Sequence, residues 1–254
     1  MPKNTLTGRA FQQAFFQRMG GAQQFRQLFD HLPEIGFFAK DHECRVVAAS
    51  PLTLRWAGCE REEDLLGRND SHMHSPHTVK AIRADDMEVM RSGQPLINRV
   101  QMLFSSLPGS GWYCTTKLPI LDADGKVIGL MGMDRPYHGS LSHLPQCARL
   151  APVLQLIERD YAETLSMADL AKLGGCSDRQ LNRHFQSIFR LSASDFIMHR
   201  RIQAAMTALH TDAPLAQIGV DCGFYDQSHF TRQFRKLTGE TPAMFRSRLG
   251  SRHG

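Results

Sequence analysis

One helix–glycine–helix pattern occurs twice in the C-terminal part of this chain, and it limits the fold more than any other stretch. The downstream copy is Leu215–Phe245, LAQIGVDCGFYDQSHFTRQFRKLTGETPAMF. A short apolar helix is predicted over Leu215–Cys222, behind Pro214, where a first-turn proline is tolerated. Gly223 breaks it, as a turn residue able to take positive φ. A second helix is predicted from Gln227, with Asp226 placed to cap it. Phe230, Phe234 and Leu237 recur at i, i+4 and i+7 and give that helix one apolar face. Its other face carries Gln227, Ser228, His229, Thr231, Arg232, Arg235 and Lys236, with no carboxylate before Glu240. Helix, tight turn, then a helix with a cationic, amide- and hydroxyl-rich face is the plan of a helix-turn-helix, whose second helix lies in the major groove of DNA. A single copy is a weak signal, because a basic helix face is usually just a solvated one.

The second copy adds the weight. Upstream, Met167–Phe196 reads MADLAKLGGCSDRQLNRHFQSIFRLSASDF. Leu170, Ala171, Gly175 and Asp178 match Ile218, Gly219, Gly223 and Asp226 at an offset of 48; Leu181, Arg183, Phe185 and Phe196 match Phe230, Arg232, Phe234 and Phe245 at 49. One residue is therefore inserted in the second turn. The first recognition helix opens with Ser177-Asp178-Arg179-Gln180, a Ser-x-x-Gln capping box. With Ser177, its exposed face presents Arg179, Gln180, Asn182, Arg183 and Gln186 to DNA. Between the copies, Ser194–His210 carries Phe196, Ile197, Ile202, Ala205, Met206 and Leu209 at helical spacing, with no Gly or Pro. A helix of about 15 residues is about 22 Å long. That length holds two recognition helices apart at nearly the spacing of successive major grooves, roughly 34 Å.

Residues from Leu150 to Leu249 resemble the DNA-binding domain of the AraC/XylS transcription regulators. Gly-Phe-x-Asp-Gln-Ser-His-Phe-x-Arg-x-Phe-Arg-Lys at Gly223–Lys236, then Gly239-x-Thr241-Pro242-x-x-Phe245-Arg246, is similar to that family's signature. The resemblance implies that each motif's second helix enters the major groove and that one monomer covers two adjacent grooves. It implies double-stranded DNA and RNA polymerase as partners, leans to activation, and allows a homodimer. The first motif departs from the pattern. Arg190 stands where the second has Gly239, and Ala193 where it has Pro242, so a strained or differently shaped turn is expected after the first recognition helix.

The N-terminal part has another character. A helix is predicted over Arg9–Met19, with Phe11, Phe15, Phe16 and Met19 apolar; it either lies on the next domain or forms a dimer. A short helix follows over Gln24–Leu32. Strand-like runs come at Ile35–Ala39, Arg45–Ala49, Ile97–Phe104, Trp112–Leu118 and Val127–Asp134, with a polar, helical middle over Pro51–Gly93. Asp122-Ala123-Asp124-Gly125 is a hairpin turn. Five strands with flanking helices fit an α+β domain built on a five-stranded antiparallel sheet. Phe29-Asp30-His31-Leu32-Pro33, Phe38-Ala39-Lys40-Asp41, Leu66-Gly67-Arg68-Asn69-Asp70 and Ala84-Asp85-Asp86 resemble a PAS domain over Gln24–Tyr137, with Lys117-Leu118-Pro119-Ile120 to Gly125 and Val127-Ile128-Gly129 as its closing hairpin. The resemblance implies a sensor or dimeriser whose sheet cups a small ligand of unknown identity. Phe38, Val47, Met102, Trp112 and Met131 are the candidates to line that cavity, although apolar strand residues are more often plain core.

His72-x-His74-x-x-His77 places three imidazoles close together, but no Cys, Asp or Glu lies inside the cluster, so a solvated loop is favoured over a metal site. No cofactor and no metal are expected. The formal charge of +5 favours a polyanionic partner. Six scattered cysteines without a CxxC pair read as reduced thiols, as in a cytoplasmic protein. The N-terminus lacks an apolar core of signal-peptide length. No run approaches the roughly 18 apolar residues of a membrane span.

The expected organisation is two domains: an N-terminal helix over 1–22, a PAS-like sensor over 23–138, a linker over 139–150, and an all-α double helix-turn-helix domain over 151–250, with motifs at 167–188 and 215–238. The function expected is sequence-specific DNA binding in transcription regulation, answering to a signal at the PAS-like domain. The alternative is that the PAS-like domain serves only dimerisation and the protein binds DNA constitutively or non-specifically. An enzyme is not expected. No Gly-rich nucleotide loop is present, and the separated cysteines do not make the metal-held cluster that DNA-alkyl transfer needs.

Overall fold

The computed structural model describes residues 12, 23–103 and 111–250. Of the helix expected over Arg9–Met19, all but Gln12 lies outside the described residues, as does Phe104. The N-terminal half runs α1 (Gln23–Asp30), β1 (Gly36–Asp41), β2 (Val46–Ala49), α2 (Pro51–Ala57), α3 (Pro76–Ser92), β3 (Leu96–Leu103), β4 (Gly111–Leu121) and β5 (Val127–Tyr137). The strands form one antiparallel five-stranded sheet in the order β2-β1-β5-β4-β3. The β4–β5 hairpin turns where expected: Asp122 Oδ1 accepts from the backbone N–H of Asp124 and Lys126 at 3.0 and 2.9 Å.

Because strand side chains alternate, the two faces of the sheet have different neighbours. On one face, Phe38 and Leu130 pack with Val89 of α3, and Lys117 of β4 forms an ion pair with Asp86 of that helix. On the other, Val100, Met102, Trp112 and Cys114 are buried in one continuous core with the C-terminal helices. Trp112 stacks on Phe196 with ring centroids 4.9 Å apart and lies 5.5 Å from Phe189. Each such ring pair adds about 0.5–1.5 kcal/mol beyond the area it buries. The sheet and the helical region are thus joined by a hydrophobic core.

The C-terminal half is helical: α4 (Ala151–Asp160), α5 (Met167–Leu173), α6 (Asp178–Phe189), α7 (Ala193–Ala208), α8 (Leu215–Asp221), α9 (Gln227–Thr238) and α10 (Pro242–Gly250). The stretch expected as a linker is well structured. It makes two 3-10 turns, Leu141–His143 and Pro145–Leu150, with Leu141, Cys147 and Leu150 buried in the shared core. Glu158 of α4 clamps its start, accepting from Ser140 Oγ at 2.8 Å and from the Leu141 N–H at 3.3 Å. Gly, Ser and Pro shape these turns, while the apolar residues among them supply the anchorage.

Candidate nucleic-acid interface

Both helix-turn-helix units form as the repeat predicts, α5 with α6 and α8 with α9. In α6, Leu181, Phe185 and Phe189 are buried; in α9, Phe230, Phe234 and Leu237 are. Ser177 caps α6 in a reciprocal box, its N–H donating to Gln180 Oε1 at 3.0 Å while its Oγ accepts from the Gln180 N–H at 3.4 Å. Asp226 caps α9, accepting from the His229 N–H at 2.7 Å. The two caps are 49 residues apart, whereas Gly175 and Gly223 are 48 apart. The structural partner of Asp226 is therefore Ser177 and not Asp178, and the inserted residue lies between glycine and cap. Gly223 is constrained on two grounds: its φ is +83°, and an added Cβ would lie 2.4 Å from the Ala162 carbonyl oxygen.

The polar faces point away from the core. Gln227, Ser228, Arg232, Arg235 and Lys236 are exposed, and Thr231 is half-buried. These six line an open groove along α9 that Pro76, at the start of α3, borders on one side. His229 is half-buried and edge-on to Phe224 at 5.6 Å. Its Nδ1 accepts from the Tyr225 N–H at 3.5 Å, so the ring also braces the turn. On α6, Arg179, Arg183 and Gln186 are exposed and Ser177 and Gln180 are exposed but joined in the capping box. Asn182 is committed to structure at both ends of its amide. Nδ2 donates to the Asp178 carbonyl at 3.2 Å, and Oδ1 accepts from the Ala193 N–H at 3.1 Å.

That last bond explains one departure between the repeats. Proline has no N–H to give, so Ala193 in place of proline is what lets Asn182 tie α6 to α7. In the second motif the equivalent pair is Thr231 and Pro242, which cannot make this bond. The other departure is Arg190. It caps α6 in the left-handed conformation, φ +57° and ψ +22°, as Gly239 caps α9 at φ +88°. A non-glycine residue there costs about 1–2 kcal/mol. Its guanidinium is 2.8 Å from Glu88 Oε2 and 3.9 Å from Asp85 Oδ1, both on α3. The turn's departure from the repeat is visible in the sequence, whereas its partners on α3 are not.

The cavity between sheet and α3 corrects four of the five pocket candidates. Phe38 lines it, with Lys40, Val46, Trp56, Leu103, Tyr113 and Asp134 among its other walls. Val47 and Met131 are 52% and 37% exposed and belong elsewhere. Met102 and Trp112 are buried, but in the core shared with the helical region. In place of Val47, Met102 and Trp112, the lining residues are their neighbours Val46, Leu103 and Tyr113. A one-residue slip in strand phase sends every side chain to the opposite face.

The cavity wall holds charges in a chain. Lys40 Nζ is 2.7 Å from Asp70 Oδ1 and 2.8 Å from Asp86 Oδ2, and Lys117 pairs with Asp86 on its other side. Burial alone would raise the Asp86 pKa, but the Lys117 and Lys40 ammonium groups outweigh it and hold it below the usual carboxylate range. Burial likewise opposes the charge on Lys40, and Asp86 and Asp70 reverse the effect, leaving its pKa raised. Burial raises the Asp134 pKa, against the Thr115 hydroxyl that donates to it. Burial, helped by Asp134, pushes the Tyr113 phenol up to about 12. In the histidine cluster, His72 lies 2.9 Å from Arg68 Nη1 and 3.7 Å from Cys59 Sγ. Among the described residues no group of three or more His, Cys, Asp or Glu is placed to hold a metal ion. None of their helices is long and apolar enough to cross a membrane.

A PAS-type sheet with a walled cavity, packed against paired helix-turn-helix units with cationic outer faces, defines a two-domain DNA-binding transcription regulator. Residues 29–136 match the family model described as a PAS fold, and residues 170–248 the one described as a helix-turn-helix domain. Regulatory protein SoxS of Escherichia coli K12 is 32% identical over 94 residues, 37% of this chain and 88% of SoxS. A crystal structure of an AraC-type transcriptional regulator from Chromobacterium violaceum is 31% identical, covering 40% of this chain and 91% of that one, with a TM-score of 0.38. The Vibrio cholerae VqmA dimer is similar over 72% of this chain and 87% of its own, at 22% identity and a TM-score of 0.41. The chain belongs to the AraC family of helix-turn-helix transcription regulators and carries a PAS-like N-terminal domain.

Proposed function

We propose that this regulator is a sequence-specific activator that reads two adjacent major grooves of double-stranded DNA, with α6 in one and α9 in the next. The observation that carries the reading is the pairing of two capped helices, each with an apolar face in the core and a cationic, amide-rich face outward. On α9, Gln227, Ser228, His229 and Thr231 sit toward the helix N-terminus, which meets base edges in this class of docking, while Arg235 and Lys236 further along reach phosphate. Arg232 reaches either. On α6 the readers are Arg179, Arg183 and Gln186; Ser177, Gln180 and Asn182 contribute by holding the helix start and its link to α7. RNA polymerase is the partner that activation requires, and a homodimer in the cytoplasm is the working form. Residues 23–138 act as the sensor and 151–250 as the reader, with 139–150 between them.

The signal enters at the cavity lined by Phe38, Trp56, Tyr113, Lys40 and Asp134. As it stands the cavity holds only about 40 Å³, room for a water or two. A small molecule enters it by moving the rings of Phe38, Trp56 and Tyr113 apart, and Lys40 and Asp134 then supply its hydrogen-bonding partners. Footprinting on a site selected from random duplexes tests the two-groove reading. Protection is expected over about two helical turns, with half-elements about 10 bp apart. Protection of one groove alone overturns it. Equal affinity for the selected site and random DNA at the same salt overturns sequence specificity.

A further inference from the structure

Helix α3 belongs to the N-terminal domain, yet it touches the C-terminal end of both recognition helices. Its N-cap, Ser75, donates from Oγ to the Leu237 carbonyl in the last turn of α9, at 2.8 Å. Further along the same helix, the Glu88 carboxylate accepts from Arg190, the residue that caps α6, at 2.8 Å. Asp85 lies 3.7 Å from Arg99 and 3.9 Å from Arg190. Arg99 in turn donates to the Ser187 carbonyl of α6 at 3.2 Å. From Ser75 to Glu88 the helix rises about 20 Å, and the 16 residues of α7 rise about 24 Å. Two helices of comparable length therefore join the two readers, one from within the DNA-binding domain and one from outside it. Glycine would serve the left-handed cap of α6 without backbone strain, as Gly239 does in α9; the arginine there makes the only ion pairs from α6 or its cap to α3 among the described residues.

We infer that α3 is a second spacer between the readers, and that Ser75, Glu88 and Arg190 are positioning residues that set the separation of α6 and α9 without touching DNA. The inference rests on the two-groove reading. It also names a route from sensor to reader. Asp86, next to Asp85 in the chain, is held on the cavity side by Lys40 and Lys117. A ligand that drew either lysine away would free the buried face of the same helix whose outer face holds both readers.

The test uses the full chain and duplexes carrying the two selected half-elements at the preferred spacing and at one and two base pairs more or fewer. Dissociation constants are measured at one salt concentration for the wild type, Glu88→Arg, Arg190→Glu and the exchanged pair, with thermal melts of each. The wild type is expected to prefer its own spacing by about tenfold or more. Each single variant is expected to flatten that preference to about threefold, since the lost pair is half-exposed. The exchanged pair is expected to restore part of it, because Asp85 then faces a carboxylate at position 190, and a merely destabilising change would restore none. If Arg190→Glu does not fold, Glu88→Gln replaces it and flattening alone is read. Unchanged spacing preference in folded single variants overturns the spacer role, and so does flattening that the exchange leaves in full. A wild type indifferent to spacing overturns the two-groove reading and the spacer with it.

Discussion

Asp134 lines the cavity, Asp86 lies behind its two lysines, and the two respond oppositely to acid. Asp86 has a folded pKa below its unfolded value, so its contribution to stability is present above the unfolded value of about 3.9 and is lost as pH falls through the folded one. Asp134 has a folded pKa above its unfolded value, so the fold loses stability from it as pH rises from about 3.9 to that folded pKa, and no more beyond it. Asp86→Asn leaves Lys117 and part of Lys40 buried without a counter-charge and is expected to cost roughly 3–5 kcal/mol at pH 7. Asp134→Asn keeps a group that accepts from Thr115 and is expected to be neutral or stabilising at the same pH. Urea unfolding between pH 4 and 8 checks both; equal losses from the two variants would contradict the assignment. On the DNA side, Lys236→Ala is expected to weaken binding to all sequences alike and lower the salt slope by about one. Gln227→Ala is expected to cost roughly 1–3 kcal/mol on the preferred site alone. Affinity measured on specific and random duplexes across a salt series separates them. The outward position of these two residues was legible in the sequence because helical phase around Phe230, Phe234 and Leu237 leaves one outward face. The cavity residues were not, because the residues of short apolar strands with neighbours on both faces give no clue to phase.

At the scale of elements, caps and turns carry most of what the repeat made readable. The glycine turns, the Ser177 and Asp226 caps and the apolar faces of α6 and α9 all follow from local chemistry that needs no distant partner. What local chemistry does not show is the space around a turn. Gly175 and Gly223 occupy the same place in the repeat and both have positive φ, yet only Gly223 lies against another chain segment. Gly175→Ala is expected to cost about 1–2 kcal/mol, the backbone penalty alone. Gly223→Ala adds a clash with the Ala162 carbonyl and is expected to cost roughly 2–5 kcal/mol. Chemical unfolding of the two variants decides the point, and equal costs would mean the Ala162 segment yields freely.

Across the whole molecule, the two-domain plan and the five-stranded sheet were legible, and the way the halves meet was not. Trp112 and Met102 look like sheet residues in sequence, and Phe189 and Phe196 look like helix-core residues. Nothing in either pattern says that they pack on one another. Removing residues 1–140 should therefore leave Phe189 and Phe196 without their cover, and the remaining helical fragment is expected to melt well below the full chain and to bind apolar dyes. A fragment as stable as the full chain would mean that the shared core contributes little. Residues 139–150 belong to the same dependence, since Leu141, Cys147 and Leu150 are buried in that core.

The shared core has a practical consequence as well. The chain contains two tryptophans. One, Trp56, lies on the cavity wall edge-on to Tyr113 at 5.3 Å. The other, Trp112, lies in the ring cluster between the halves. The molecule thus carries two tryptophan fluorophores, one at the cavity and one at the joint between the halves. Trp56→Phe leaves an emission that reports only on the joint between the halves, and Trp112→Phe leaves one that reports only on the cavity. The order in which the two signals change after mixing with a candidate ligand would give the direction of the message without any attached label.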